Sequence, residues 1–458
     1  MVCPNRFIDT QDDQGPTDHD KAFINDLFRR WQDESIKFVV LRNYDNLPAI
    51  PRGTDIDILV SEQSIEKAEM IAISCAVKKG FVIHNRVEFS PTSLFFFNPL
   101  SHCQIHIDLF SYLRWRGFNL IDADTILNMR RIKTDGLFFV PHPAHEAAIN
   151  LITGLLYHGY VKEKYKAKIN RAFNEYRTKT VETLKSLFGM RLAIQIFDGV
   201  HNKNWIIIEE MTWHLRANLI ARQIFEAPLQ TLKAIMSDVV RLTRRFIAPT
   251  GLMVVFVGTD GSGKSTIVKR IIEELETTFS KGKSRCFHWK PTLFQTRQER
   301  SQLFSEPHRR PPRNKFFSLV FFLFHVFSFI FGTNLKVRPV LFINGLVLID
   351  RYYYDFFIDQ NRYRLQIPIW LVQIMSRLIM KPHLVICLDA PAKMLYGRKQ
   401  EIPFEEVERQ RDAYLFLVKS LPEGHVVDGS QSIEIMTRQV KHIILNYMSK
   451  RIAKRLNL

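Results

Sequence analysis

Nine consecutive residues, Gly258-Thr259-Asp260-Gly261-Ser262-Gly263-Lys264-Ser265-Thr266, have the types and spacing to hold phosphate. They fit G-x-x-x-x-G-K-[ST]. In that pattern the glycines let the backbone turn tightly, so that its N–H groups and the next helix's N-terminus face phosphate oxygens. Gly258, Gly261, Ser262, Gly263 and Thr266 would form the cradle, Lys264 would reach the terminal phosphates and Ser265 would ligand Mg²⁺. The context agrees with the motif. Leu252 to Val257 is a continuous apolar run, as a buried parallel strand should be, and Ile267, Ile271, Ile272 and Leu275 share one side of a helix. ATP and Mg²⁺ are the expected ligands. Val347-Leu348-Ile349-Asp350 reads as another buried strand, ending in the acid expected beside such a loop.

A second group of acids lies near the N-terminus. In Gly53-Thr54-Asp55-Ile56-Asp57-Ile58-Leu59-Val60, period-2 alternation puts Asp55 and Asp57 on one face of a strand, and a later strand, Gln104 to Phe110, carries Asp108. Three carboxylates so placed form a hard-oxygen cage for Mg²⁺. The same acids would equally suit a retired or substrate-recognising domain that binds no metal.

These residues must be positioned by more than one domain, since 458 residues exceed a single ordinary one. The expected class is α/β in three regions: an α+β region 1–142, a helical bridge 143–248, and a parallel-sheet domain 249–458 after the breaker Pro249-Thr250-Gly251. The bridge is expected to contain helices over Val181–Phe197 and Trp205–Ile220, with a basic face at Lys162, Lys164, Lys166 and Lys168. Hydrophobic content of 46% excludes global disorder. Five scattered cysteines, none in a C-x-x-C pair, exclude a disulfide framework and a zinc knuckle and fit a reducing cytoplasm. The net charge of +18 favours anionic partners, and phosphate handling accounts for it without nucleic acid. The first twenty residues are polar and acidic, so no signal peptide is expected there. Phe316 to Phe331 is intensely aromatic but only sixteen residues long, short of a membrane span. A buried core helix is expected there; the alternative is a helix lying in a membrane surface behind Arg309, Arg310, Arg313 and Lys315.

Two resemblances extend this reading. Lys37 to Trp115, with Asp55, Asp57 and Asp108, resembles the nucleotidyltransferase fold, although Arg42-Asn43 stands where that superfamily has Gly-Ser. From Gly251 to the C-terminus the chain resembles the thymidylate-kinase family of P-loop kinases. The resemblance rests on the G-T-D-G-S-G-K-S-T loop, Asp350-Arg351-Tyr352 after an apolar strand, Tyr396-Gly397-Arg398-Lys399, and His425-Val426-Val427-Asp428-Gly429. It implies that Asp260 faces the acceptor, Asp350 sits near the metal, Arg351 positions phosphates, and Arg398 neutralises charge from a lid. It also implies a homodimer.

The acceptor half departs from the family. Trp289-Lys290-Pro291-Thr292-Leu293-Phe294 replaces Arg-Glu-Pro-Gly-Gly, and Asp355 replaces the serine of D-R-Y-x-x-S. The version D-R-Y-Y-Y-D followed by D-x-x-R-Y-R is similar to thymidylate-kinase-like proteins of bacterial surface-polysaccharide genes. The leading expectation is therefore a cytoplasmic ATP-dependent kinase acting on a phosphate or hydroxyl acceptor, a sugar, glycan or nucleotide. The alternatives are a metal-dependent nucleotidyltransferase, or a non-catalytic ATP-switched binding protein that contacts a membrane or partner.

Overall fold

Two sheets carry the chemistry-bearing residues. The computed structural model describes residues 18–49, 55–89, 91–99, 103–133, 136–275, 278–279, 282–291 and 311–456. Gly53, Thr54, Arg297, Arg300, Arg309 and Arg310 lie outside them. The chain divides into two units, Met1–Arg244 and Arg245–Leu458.

In the first unit, β1 (Phe38–Arg42), β2 (Asp55–Val60), β3 (Val82–Glu88), β4 (Thr92–Phe97) and β5 (Gln104–Phe110) form a mixed sheet in the order β1-β2-β5-β4-β3. Only β2 and β5 run parallel, with Asp57 opposite Asp108. Helices α1 (Asp18–Asp33) and α2 (Ile65–Lys78) belong to this sheet region, and α1 buries Phe23, Ile24, Leu27, Phe28 and Trp31 as its periodicity predicts.

The helices that follow are α3 (Pro143–Thr153), α4 (Glu163–Glu175), α5 (Arg177–Phe188), α6 (Met190–His201), α7 (Thr212–Glu226) and α8 (Pro228–Ile247). Through α7 they share one core with the sheet: Val39, Leu41 and Leu59 pack in the same cluster as Leu151, Phe173, Ile196 and Leu219. The helix expected over Val181–Phe197 breaks at Gly189, whose φ of 82° is left-handed and ends α5. The one expected over Trp205–Ile220 is likewise interrupted, at Met211.

The second unit is built on five parallel strands: β6 (Leu252–Val257), β7 (Arg285–His288), β8 (Leu346–Asp350), β9 (Leu384–Asp389) and β10 (Gly424–Asp428), in the order β7-β8-β6-β9-β10. Central β6 is buried at every residue, which is why its sequence shows no alternation. The accompanying helices are α9 (Lys264–Glu274), α10 (Lys315–Gly332), α11 (Ile369–Ser376), α12 (Phe404–Ser420) and α13 (Ile433–Leu456). With this strand order, the right-handed rule for parallel crossovers puts α10, α11 and α12 on one face of the sheet and α9 on the other. Accordingly Phe322, Val372 and Tyr414 share a single cluster with Val255 and Val347, while α9 packs against α13.

The aromatic helix differs from expectation: instead of ending near Phe331 it runs on to Phe342, 28 residues from Lys315, long and apolar enough by length and composition to cross a membrane. In α10 only Ser318, Phe322, Val326, Phe329 and Gly332 are buried, a single stripe with helical period, and most of its other apolar side chains face outward. It is an edge helix covering one flank of the sheet rather than a core helix.

Candidate active site

The phosphate loop sits where β6 ends and α9 begins. Gly258, Gly261 and Gly263 have φ of 132°, 83° and 87°, conformations that a Cβ disfavours. At Gly258 a Cβ would also come within 2.7 Å of the Leu388 carbonyl, so the loop can wrap closely only without one. Lys264 opens α9 and is buried; its Nζ donates to the carbonyls of Gly258 (3.0 Å) and Thr259 (2.7 Å) and to Ser262 Oγ (3.2 Å). Burial, helped by the nearby Arg351 charge, lowers its pKa.

Asp350 ends β8 beside the loop, opposite Phe256 of β6. Its Oδ2 accepts from Ser265 Oγ at 2.9 Å, and its buried Oδ1 has no hydrogen-bond partner among the described residues. Burial would raise this carboxyl, but the His288 hydrogen bond and the Lys264 and Arg351 charges hold it at about 2. An ionised carboxylate with an uncommitted oxygen, paired with a hydroxyl, is a donor set that suits Mg²⁺ and its waters.

The next residue, Arg351, has a left-handed backbone (φ 69°), and its N–H donates to the Phe256 carbonyl at 2.8 Å. Its buried guanidinium bonds Asp260 Oδ1 (2.5 Å), Asp355 Oδ2 (3.0 Å) and Tyr414 Oη (3.3 Å). Arg362 takes the other Asp260 oxygen at 2.5 Å and is held in turn by Asp359. Burial would raise the Asp260 carboxyl, yet the two arginines override it and keep the group far below the usual carboxylate range. Asp355, where the resemblance expects serine, also accepts from Tyr363 Oη (2.7 Å) and Tyr414 Oη (2.8 Å).

A cleft of about 260 Å³ opens here, lined by Asp260, Lys264, Ser265, Asp350 and Arg351, and also by His288, Arg362 and Lys399. The sequence alone assigns none of those last three a role in the site, although Arg362 and Lys399 lie within motifs quoted above. The D-x-x-R spacing at Asp359–Arg362 was the available signal for one of them. Arg398 does not line the cleft; its Nη1 donates to the carbonyls of Gly429 (3.0 Å) and Gly261 (3.4 Å), tying the 392–398 helix to the loop. Tyr352, Tyr353 and Tyr354 are buried in the core. Trp289, in the altered acceptor segment, is buried and stacks on Tyr363 with ring centroids 4.3 Å apart.

In the first unit, ligand atoms of Asp55, Asp57 and Asp108 lie within 4.8 Å of one another. Arg42 occupies the nearest carboxylate, with Nε 2.5 Å and Nη2 3.3 Å from Asp57. Burial lifts the Asp57 carboxyl to about 6 against this pairing. Asp108 is held by Ser93 Oγ (2.5 Å) and His106 Nε2 (2.9 Å). The donor chemistry suits a divalent cation, although Arg42 already neutralises part of its charge. A larger cleft, about 490 Å³, lies elsewhere in this unit against α8 and is lined by none of the three aspartates.

No protein-family model matches the chain. A probable thymidylate kinase of Thermococcus gammatolerans is 29% identical over 116 residues, 24% of this chain. The chain spans 55% of that relative's length. A thymidylate kinase of Symbiobacterium thermophilum is 26% identical over 212 residues, 43% of this chain and 94% of the relative. The crystal structure of a thymidylate kinase from Ehrlichia chaffeensis aligns with a TM-score of 0.33 and 19% identity, covering 42% of this chain and 98% of that one. Over part of its length, this chain is similar to the thymidylate-kinase group of P-loop kinases.

Proposed function

We propose that the second unit is an ATP-dependent kinase that transfers the γ-phosphoryl group to a phosphate-bearing acceptor. The observation that carries this reading is the convergence of Lys264, Arg351, Arg362 and Lys399 on one cleft beside the Ser265–Asp350 pair. The loop amides and Lys264 hold the β- and γ-phosphates, and Ser265 and Asp350 hold Mg²⁺, directly or through water. The metal would neutralise phosphate charge. An acceptor oxygen forms the new bond to the γ-phosphorus as the bond to the β,γ-bridging oxygen breaks, leaving ADP. Little covalent chemistry is asked of the protein; fixed positive charge and alignment supply the catalysis. Asp260 serves by orienting both arginines.

The relatives' names favour a nucleotide acceptor. A sugar or glycan acceptor rests on the altered Trp289–Phe294 segment, in which Trp289 packs on Tyr363. The test is ADP formation across thymidylate, other nucleoside monophosphates and sugar phosphates. Lys264→Ala should reduce it by roughly 10²-fold or more. Turnover unchanged in that variant would remove the assignment.

A second reading, nucleotidyl transfer by the first unit, is favoured by the carboxylate trio on adjacent strands β2 and β5. It requires Mn²⁺ or Mg²⁺ binding lost in Asp55→Asn/Asp57→Asn, and pyrophosphate release. Neither signal depends on Lys264.

A further inference from the structure

The outward sides of α10 and α11 carry exposed aromatic and aliphatic side chains that the cleft does not explain. Phe316, Phe324, Phe327 and Phe331 of α10 are 69%, 59%, 56% and 57% exposed, and Trp370 and Leu378 at α11 are 61% and 60% exposed. Both helices cover the same face of the sheet and bury their opposite sides in one cluster. The segments that lead into them are tied together: Arg313 N–H and Nη1 donate to the carbonyls of Arg364 and Tyr363, and Arg364 Nε donates to Pro311 O. On α10, Phe316, Val320, Phe324, Phe327 and Phe331 recur at helical spacing, and an exposed aromatic stripe of this kind marks an interaction surface.

Its setting is cationic. Residues 311–349 contain Arg313, Lys315, Lys336 and Arg338 and no Asp or Glu; residues 364–388 contain Arg364, Arg377 and Lys381 and again no Asp or Glu. Lys315, Arg377 and Lys381 are exposed, and Arg313 lies with Cζ 4.0 Å from the centre of the Phe321 ring, its stem along the apolar surface.

We propose that this face lies on an anionic lipid bilayer, with the phenylalanines entering the acyl boundary and the cations meeting headgroup phosphates. By length and composition the helix that begins as α10 is able to span a membrane, but Phe322, Val326 and Phe329 are buried in the core beside Trp289, Tyr352 and Phe356, which favours an in-plane orientation. An in-plane helix with one apolar side and basic flanks fits. A second copy is the poorer occupant: a two-fold interface would set this basic rim against itself. The proposal is independent of the kinase reading.

The test is flotation of the full chain with vesicles of phosphatidylcholine alone or with added phosphatidylglycerol. Binding should be about tenfold stronger to the anionic vesicles and should weaken with salt. Phe327→Glu/Phe331→Glu should abolish it. Lys315→Glu/Arg377→Glu/Lys381→Glu, all at exposed positions, should remove the preference for anionic lipid with an unchanged Tm. Lys264→Ala should float like the wild type, which separates this result from any failure of the kinase assignment. Absence of flotation, or equal flotation of the charge-reversed variant, would overturn the proposal. So would a dimer in light scattering that Phe327→Glu/Phe331→Glu converts to monomer while vesicles bind neither form, because a second copy would then own the face.

Discussion

Arg351 and Asp260 are joined at 2.5 Å, so the end of β8 and the inside of the phosphate loop are one electrostatic unit. Arg362 closes the arrangement from the other carboxylate oxygen. Asp260→Asn weakens both contacts at once and leaves two arginines without their shared counter-charge. Because misplacement of positioning groups by about 1 Å costs roughly 10²-fold in rate, kcat should fall by about that factor. The KM for ATP should change far less, since Lys264 and the loop amides remain. Steady-state ADP release at varied ATP separates the two parameters.

Asp355 is the structural counterpart. Its fully buried carboxylate serves Arg351, Tyr363 and Tyr414 together. Asp355→Ala removes one of two carboxylates from the buried Arg351 guanidinium, which keeps Asp260, and takes the acceptor from two buried hydroxyls; the loss should approach about 3 kcal/mol, the low end for breaking a buried pair. Urea unfolding should show this loss in the transition of the second unit.

Metal demand should follow Asp350. With Ser265 on one oxygen and the other uncommitted, Asp350→Asn should raise the Mg²⁺ concentration for half-maximal turnover by roughly 10–100-fold, the usual range for disturbed metal surroundings. A Mg²⁺ titration at saturating ATP reads it.

His383 sets a pH dependence of stability. Its Nδ1 accepts from the Met253 N–H at 3.0 Å, and burial, with the Arg451 charge, lowers its pKa to about 4. The folded state therefore binds fewer protons than the unfolded state between about pH 6.5 and 4, and stability rises with pH across that window. The contribution is complete above about pH 6.5 and lost as pH falls towards 4, worth about 3 kcal/mol in total. His383→Asn should flatten that part of the stability–pH profile in denaturant melts.

Gly332 links α10 to the altered acceptor segment. A Cβ there would lie 2.0 Å from the Pro291 carbonyl oxygen, so Gly332→Ala must displace the backbone beside Trp289. Overpacking of this kind costs typically 1–3 kcal/mol. The KM for the acceptor should rise more than that for ATP, which two-substrate kinetics would show.

The sequence made the donor side legible because its chemistry is local: loop, strand and helix lie within about two dozen residues, and Asp350 closes an apolar run. Arg362, His288 and Lys399 were hidden because they reach the cleft through space, from a turn, a strand end and a helix end. Arg42 was noticed only as a departure from Gly-Ser. Its bond to Asp57 depends on the pairing of β1 with β2, which no spacing rule exposes. The aromatic helix misled because hydropathy alone does not distinguish an edge helix with one buried stripe from a helix buried all round. The helical region reads in the sequence as a companion to the first domain and a bridge to the second, and Leu151, Phe173, Ile196 and Leu219 join the core of the first sheet, a packing that periodicity alone does not assign.

The left-handed backbone at Arg351 sets two demands on one position. Its φ of 69° favours glycine or asparagine, whereas Asp260, Asp355 and Tyr414 require a guanidinium. Relieving the backbone here would take a counter-charge from both Asp260 and Asp355, and neutralising Asp355 as well would leave the Tyr363 and Tyr414 hydroxyls without their acceptor. The strain is therefore one that a thermostabilisation campaign cannot remove piecemeal, because the cluster around it has to be redesigned as a whole.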